Sequence, residues 1–298
     1  MRILLTGKNG QVGYELRRSL SVLGEVLAFG SQDYDLSDIS SIKEMTRITR
    51  PDVIVNSAAY TSIDKAEKDK FKARAINAVA PSILAAEAVK YGSLMVHLST
   101  DYVFDGTKNE PYSEYDQTNP LNVYGLTKLE GEIGVQKNCS RHLILRTSWV
   151  AGVHGNNFLK SILRLSQERD TLNVVDNQFG APTSAHLISS VISHLVRQAY
   201  VNPNEFAYGL YHATASGETS WHQYARYIIE KAHQYGKHDL LLPNAIRAVK
   251  ASEYPLPAKR PLNSRLDTSK LIKNFSLNLP DWKTGIDEIL EELLGELS

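Results

Sequence analysis

The 298-residue chain is 42% hydrophobic, enough to bury a sizeable core in one large domain or two coupled ones. Its 33 Lys and Arg balance 33 Asp and Glu, with no block of one sign, which argues against a nucleic-acid partner or a membrane surface. Cys139 is the only cysteine, which excludes an intrachain disulfide and a cysteine zinc cluster, and no apolar run is long enough for a signal peptide or a transmembrane helix, so the expected location is the cytoplasm.

Residues 2–5 (RILL) are a short apolar run ending in Thr6 and Gly7, which reads as a buried parallel strand. The turn TGKNGQVG follows, and 14–23 has helical periodicity. A strand, a glycine turn and a helix start make a dinucleotide site: the glycines let the backbone approach a pyrophosphate, and the helix N-terminus offers free N–H groups and partial positive charge. Gly7, Gly10, Gln11, Val12 and Gly13 are therefore the candidate cofactor turn. Glu25–Phe29 reads as the second strand, whose end meets the adenine ribose in such folds. An acid there would bind the 2′-hydroxyl of NAD. Here the strand runs into Gly30 and Ser31, with Asp33 and Asp35 only later, so a 2′-phosphate is not excluded and NADPH is at least tolerated beside NADH.

Ile39–Thr49 has a helical pattern ended by Pro51, and 52–56 (DVIVN) is the third strand. The small residues of NSAAY at 56–60 suit either a cofactor lying close to the backbone or tight helix–strand packing. A polar loop at 60–70 leads to a long structural helix over 71–91, with Ile76, Val79, Ile83, Leu84 and Val89 as its apolar positions. The fourth strand, Leu94–Thr100, ends on Ser99 and Thr100. A hydroxyl at that end points into the crevice where open α/β sheets bind ligands, and can help polarise a ketone. Residues 105–119 are polar and turn-rich, as for a loop bordering a pocket.

In LNVYGLTK, Tyr124 and Lys128 stand four residues apart on a helix-compatible stretch, so the phenol and the ammonium share one face. A fixed positive charge beside a phenol favours phenolate and is expected to bring its pKa down toward the range of a working general acid.

The fifth strand is expected over 141–148. Trp149 after it can stack on a sugar or base, or plug the core. A helix over 157–168, a strand at Leu172–Val175 and the segment FGAPT at 179–183 lead to a helix start at Thr183/Ser184 and into a second lobe. There 210–213 reads as a strand, Trp221–Gln234 as a helix and 282–297 as an amphipathic terminal helix, with no Pro- or Ser-rich linker between the lobes. Arg260 and Arg265 flank a proline-containing loop, AKRPLNSRL; arginines can engage a diphosphate bidentately, or the loop is simply a basic surface.

A G-x-x-G-x-x-G turn on the first strand with Tyr-x-x-x-Lys after the fourth resembles extended short-chain dehydrogenases/reductases. HLSTDYVFDG at 97–106, PLNVYGLTKLEGE at 120–132, RTSWV at 146–150, NQFGAPTS at 177–184 and RPLNSRLD at 260–267 resemble, nearly end to end, the dTDP-4-dehydrorhamnose reductase family within them. The resemblance implies an α/β fold: a Rossmann-type doubly wound parallel sheet with a smaller interleaved C-terminal α/β substrate lobe. Residues 1–150 would mainly bind NAD(P) and 151–298 mainly the nucleotide-sugar. It also implies NAD(P)H-dependent reduction of the C4 ketone of dTDP-4-dehydro-L-rhamnose, a step of nucleotide-sugar and cell-surface polysaccharide biosynthesis.

Carried onto this chain, the family's catalytic set falls on Thr100, Tyr124 and Lys128, with Tyr124 and Lys128 also touching the cofactor. Ala59, Tyr60 and Thr61 line the cofactor's ribose and phosphate region. Asp35 and Leu36 match an Asp-Leu pair beside the adenine, although Asp35 serves equally well as a turn residue. Asp101 meets a sugar hydroxyl, Trp149 belongs to the substrate pocket, and the Arg260–Arg265 loop meets the dTDP moiety. Some members place glutamates around magnesium at a dimer interface; Glu15 and Glu292 match two of those positions, but His186 stands at the third. Magnesium prefers hard oxygen ligands, so no metal site is carried over, and both monomer and homodimer stand. Three rivals remain at this stage: a reductase of opposite facial selectivity giving 6-deoxy-talose, a nucleotide-sugar epimerase or dehydratase sharing Tyr and Lys, and a non-catalytic subunit like the regulatory subunit of methionine adenosyltransferase.

Overall fold

The computed structural model describes residues 1–295, and the apolar runs of the first half lie side by side in it as one parallel sheet. In chain order come β1 (Arg2–Thr6), α1 (Gln11–Ser19), β2 (Glu25–Phe29), α2 (Ile39–Thr49), β3 (Val53–Asn56), α3 (Ile63–Ala66), α4 (Lys70–Arg74), a π-helical turn at Ala75–Val79, α5 (Ala80–Tyr91) and β4 (Leu94–Thr100). After a 3₁₀ turn at Asp101–Val103 follow α6 (Val123–Asn138), β5 (His142–Thr147), β6 (Val150–Ala151), α7 (Phe158–Glu168), β7 (Leu172–Val175), β8 (Phe179–Gly180), β9 (Thr183–Ser184) and α8 (Ala185–Val201). The chain ends with β10 (Gly209–His212), β11 (Thr219–Ser220), α9 (Trp221–Gln234), β12 (Ile246–Val249), α10 (Ser269–Phe275) and α11 (Trp282–Leu294).

The large sheet has the order β10-β5-β4-β3-β1-β2, with parallel neighbours throughout. Side chains alternate across it, so each strand feeds two cores. Ile3, Leu5, Val53, Val55, Leu143 and Leu145 face α1 and α8, while Leu4, Ile54, Met95 and Ile144 face α2 and α5. Coverage on both faces is why these strands read as unbroken apolar runs. A third core gathers Leu159, Ile162, Leu172, Tyr224, Ile228, Trp282, Ile286 and Leu290 from α7, β7, α9 and α11, beside the two-stranded pairs β12–β7, β6–β9 and β11–β8.

Several expectations need correction. The helix expected over 14–23 starts at Gln11, directly on the glycine turn, and its regular part ends at Ser19. The polar loop at 60–70 contains the short helix α3. The helix over 71–91 is broken by the π turn, and two of its apolar positions, Val79 and Val89, are 41% and 57% exposed, while Ala80, Ala85 and Ala88 make the close contact. The strand expected at 210–213 in the second lobe is β10, the edge of the large sheet beside β5. α11 ends at Leu294, and the last residues of its expected span, 296–297, lie outside the described residues. No helix among the described residues is long and apolar enough to cross a membrane.

Candidate active site

The glycine turn is built so that only glycines fit two of its positions. Gly7 has φ +81°, and a Cβ there would come within 2.7 Å of the Ala58 nitrogen. A Cβ on Gly13 would lie 2.0 Å from the Gly7 carbonyl oxygen, so α1 packs directly on the turn. Gly10 begins α1 with no side-chain cap and no acid in the first turn, which leaves the first N–H groups free for an anion. This uncapped cradle fits a dinucleotide pyrophosphate. Val12 is buried against the sheet, and the Gln11 side chain accepts from Asn157 Nδ2 at 2.9 Å, linking the turn to the second lobe.

At the end of β2 the missing acid is replaced from nearby. Asp33 accepts the Gly30 N–H at 2.7 Å and pairs with Lys8 at 2.6 Å. Asp35 is occupied in a turn, accepting from the Ser37 N–H and hydroxyl at 2.8 and 2.7 Å, and Leu36 packs on the α2–α5 core. Past β3, Ala59 and Thr61 flank Tyr60, whose N–H donates to Asn77 Oδ1 at 2.8 Å while Asn77 Nδ2 returns a bond to the Tyr60 carbonyl at 3.1 Å. Asn77 is fully buried, lies on the π turn and also reaches Thr127 Oγ1, so it ties the 59–61 segment to α6. Nothing in the sequence singled it out.

Thr100 and Tyr124 come together. The Asn122 side chain caps α6 by accepting from the Gly125 N–H at 2.8 Å, and Gly125 sits so close to the Tyr102 carbonyl that a Cβ would be 2.1 Å from it. This seats the first turn of α6 against the end of β4 and brings the Tyr124 hydroxyl close to that of Thr100, which itself donates to Asp101 Oδ1 at 3.0 Å. Of the two hydroxyls at that strand end, Ser99 points the other way and donates to Glu132 at 2.5 Å.

The electrostatics differ from the expectation for Tyr124. Burial pushes its pKa up to about 12, against the Thr100 hydrogen bond, which lowers it, and with the nearby Asp101 charge adding to the rise. Lys128 brings no downward shift: its ammonium, 2% exposed, donates to the Leu98 carbonyl and lies 3.5 Å from His97 Nε2. Burial drops the Lys128 pKa to about 8, with Glu132 opposing that fall. His97 is held neutral by burial and by Lys128, and its other ring nitrogen meets Asn56 at 3.1 Å. Asp101 is buried with Oδ2 unpartnered; burial raises its pKa to about 6, against the lowering by nearby Ser264 and by Thr100, whose hydroxyl donates to Oδ1 at 3.0 Å.

The second-lobe residues arrive with partners of their own. Trp149 has φ +48°, uncommon for an aromatic residue, and stacks on Trp221 at 3.5 Å between ring centroids, with Gly180 closing on its ring. Arg260 grips the Asp64 carboxylate through two bonds of 2.9 and 2.7 Å, and Arg265 pairs with Glu218 at 2.8 Å and Asn263 Oδ1 at 2.9 Å. The loop nevertheless runs along the site: the Lys259 carbonyl accepts from the Asn122 cap at 2.7 Å, and Ser264 lies near Asp101. Asn122 and Ser264 are further site neighbours that sequence reasoning did not single out. Of the residues at the family's magnesium positions, Glu15 pairs with Arg18 at 3.1 Å, and the Arg18 guanidinium meets His186 Nδ1 at 3.3 Å.

A family model described as the RmlD substrate binding domain matches residues 1–294. The chain is 48% identical to the dTDP-4-dehydrorhamnose reductase of Escherichia coli, with 98% of each chain covered. It is 42% identical to that of Burkholderia thailandensis, covering 99% of this chain and 100% of the other. Its fold matches a crystal structure of dTDP-4-dehydrorhamnose reductase from Bacillus anthracis in complex with NADP, with a TM-score of 0.89, 32% identity, and 98% and 99% of the two chains covered.

Proposed function

The chain belongs to the dTDP-4-dehydrorhamnose reductase family, and on that premise we propose that it reduces the C4 ketone of dTDP-4-dehydro-L-rhamnose to give dTDP-L-rhamnose. NADPH or NADH, when bound, supplies the hydride. The observation that carries the assignment of roles is the meeting of the Thr100 and Tyr124 hydroxyls at the C-terminal end of β4, where open parallel sheets receive ligands. Thr100 holds the carbonyl oxygen, and Tyr124 gives its proton to that oxygen as negative charge develops there. A phenol raised to about 12 is fully protonated at neutral pH, so it starts the reaction as the acid. Lys128 positions the cofactor's ribose from the face it shares with Tyr124.

Gly7, Gly10, Gln11, Val12 and Gly13 hold the pyrophosphate, with 59–61 and the 35–36 turn lining the rest of the cofactor. Asp101, Trp149, Arg260 and Arg265 serve the nucleotide-sugar, the arginines exchanging Asp64 and Glu218 for the diphosphate. Residues 1–150 mainly serve the cofactor and 151–298 mainly the sugar, with β10 and α8 crossing back to the large sheet. The reaction is cytoplasmic, involves no nucleic acid, and needs no more than a monomer or homodimer.

The test is oxidation of NADPH and NADH by pure protein given dTDP-4-dehydro-L-rhamnose, with the C4 configuration of the product read by NMR. Rhamnose is expected. A talose product would reverse the facial selectivity. Folded protein that binds cofactor without oxidising it would overturn the catalytic reading in favour of a regulatory one.

A further inference from the structure

We propose that Lys8 and Asp33 together read the 2′ position of the cofactor's adenosine ribose and so admit both NADPH and NADH. The inference rests on the reading of the Gly7–Gly13 turn as the dinucleotide site. In such folds the residue at the end of the second strand meets that ribose, and an acid there selects the unphosphorylated form. Here position 30 is glycine, and a side chain on it would run into Asn9 Nδ2, 2.8 Å from where its Cβ would stand. The carboxylate comes instead from Asp33, folded back so that it accepts the Gly30 N–H at 2.7 Å. An acid thus stands at the strand end after all, contributed by a residue three places later.

What distinguishes this arrangement is the cation built in with the acid. Lys8 belongs to the glycine turn itself, and its backbone N–H donates to the carbonyl of Phe29, the last residue of β2, at 3.1 Å. Its ammonium lies 2.6 Å from Asp33, with the two side chains 29% and 36% exposed, so both are reachable from solvent without being free of the fold. The Gly30 N–H and Lys8 hold the Asp33 carboxyl below its usual range, so it is ionised at neutral pH. A ribose 2′-hydroxyl donates to Asp33 while Lys8 stays paired. A 2′-phosphate takes Lys8 from Asp33, because a phosphate dianion offers more charge and more acceptor oxygens than a carboxylate. Asp33 keeps the Gly30 N–H as its partner when Lys8 leaves.

The experiment is titration of the full-length protein with NADPH and with NADH in the absence of sugar, followed by nicotinamide fluorescence. Lys8→Met is expected to weaken NADPH binding by roughly tenfold with NADH little changed, the loss of about one charge-assisted contact. Lys8→Arg should retain NADPH binding, and Asp33→Asn should weaken NADH while sparing NADPH. Salt should weaken NADPH more steeply than NADH in the wild type, and that difference should vanish in Lys8→Met. Equal losses for both cofactors, or none, would show the pair to be a turn staple only and overturn the proposal. Wild-type protein that binds neither cofactor would overturn the dinucleotide reading as well. Cofactor binding without sugar turnover would overturn the reductase reading alone, and the two-cofactor comparison would still decide the role of Lys8.

Discussion

The Lys128 ammonium, one helical turn after Tyr124, donates to the Leu98 carbonyl and lies 3.5 Å from His97 Nε2, while the hydroxyl beside that of Tyr124 is Thr100's. The phenol therefore keeps a raised pKa, and what it contributes is a held proton. Tyr124→Phe removes that proton and leaves the ring, which packs edge-on against Tyr102 with centroids 5.6 Å apart. Turnover is expected to fall by about a hundredfold or more, the usual scale for a positioned general acid, while NADPH affinity stays unchanged. Steady-state rates and a cofactor titration check this together, and near-normal turnover would remove Tyr124 from the mechanism.

Lys128 should set an alkaline limit. Its folded pKa, about 8, is below the usual lysine value of 10.5, because burial disfavours the charged form. The unfolded chain thus holds this proton to higher pH. Between about 8 and 10.5 the unfolded state binds more protons, and this group's contribution to stability rises with pH. Activity moves the opposite way, since the charge that engages the ribose is lost through about 8. A plot of kcat/KM against pH should fall on its alkaline side near that value, and Lys128→Met should lose the limb along with cofactor affinity. A flat wild-type profile from pH 7 to about 9.5 would contradict the ribose role.

Asp101 is a buried acid with one oxygen unsatisfied, and it should destabilise the fold at neutral pH. Its pKa is raised from 3.8 to about 6, so the folded state binds more protons than the unfolded across that window and stability falls as pH rises through it. Asp101→Asn keeps an acceptor for Thr100 and removes the charge. The variant is expected to be more stable by about 2–3 kcal/mol at pH 7, an order-of-magnitude figure from the shift, and indistinguishable from wild type near pH 4. Urea unfolding at several pH values measures this. Catalysis should suffer in the same variant if Asp101 meets a sugar hydroxyl. Equal stabilities at pH 7 would mean that the carboxylate is solvated or paired after all.

What the sequence disclosed, and what it withheld, follows from the range of the interactions involved. The Gly7–Gly13 spacing and the apolar runs of β1 to β5 are local, and they fixed the sheet and the cofactor turn. The Tyr124–Lys128 stripe is local too, but the sign of the Tyr124 shift depends on burial and on where the ammonium points, and neither is written in the spacing. The choice of Thr100 over Ser99 rests on the resemblance; strand alternation sends the two hydroxyls to opposite sides, and packing against α6 sets which side holds Tyr124. The carboxylates that pair with Arg260 and Arg265, Asp64 and Glu218, lie 196 and 47 residues away in sequence, so the loop by itself shows only its basic side. β10 was placed in the second lobe because four residues, GLYH, carry no sign of which sheet they join.

The last expectation concerns the buried pair beneath the site. Glu132 lies one turn beyond Lys128 on α6, and its carboxylate bonds Arg146 Nη2 at 2.6 Å and Nε at 2.9 Å, with the two side chains 2% and 4% exposed. Ser99 donates to the same carboxylate, and the Arg146 guanidinium lies 5.0 Å from the centre of the Phe104 ring. Removing one charge strands the other in the core. Glu132→Gln and Arg146→Met should therefore each lower stability by about 3–5 kcal/mol, whereas removing both charges together, as Glu132→Leu with Arg146→Met, should cost well under the sum because no charge is left unpaired. Glu132→Gln should also move the alkaline limb of the activity profile to lower pH, since Glu132 opposes the fall in the Lys128 pKa. Denaturant unfolding of the three variants tests the coupling. Additive losses would mean that the two residues act separately, and an unmoved limb would confine Glu132 to a structural role.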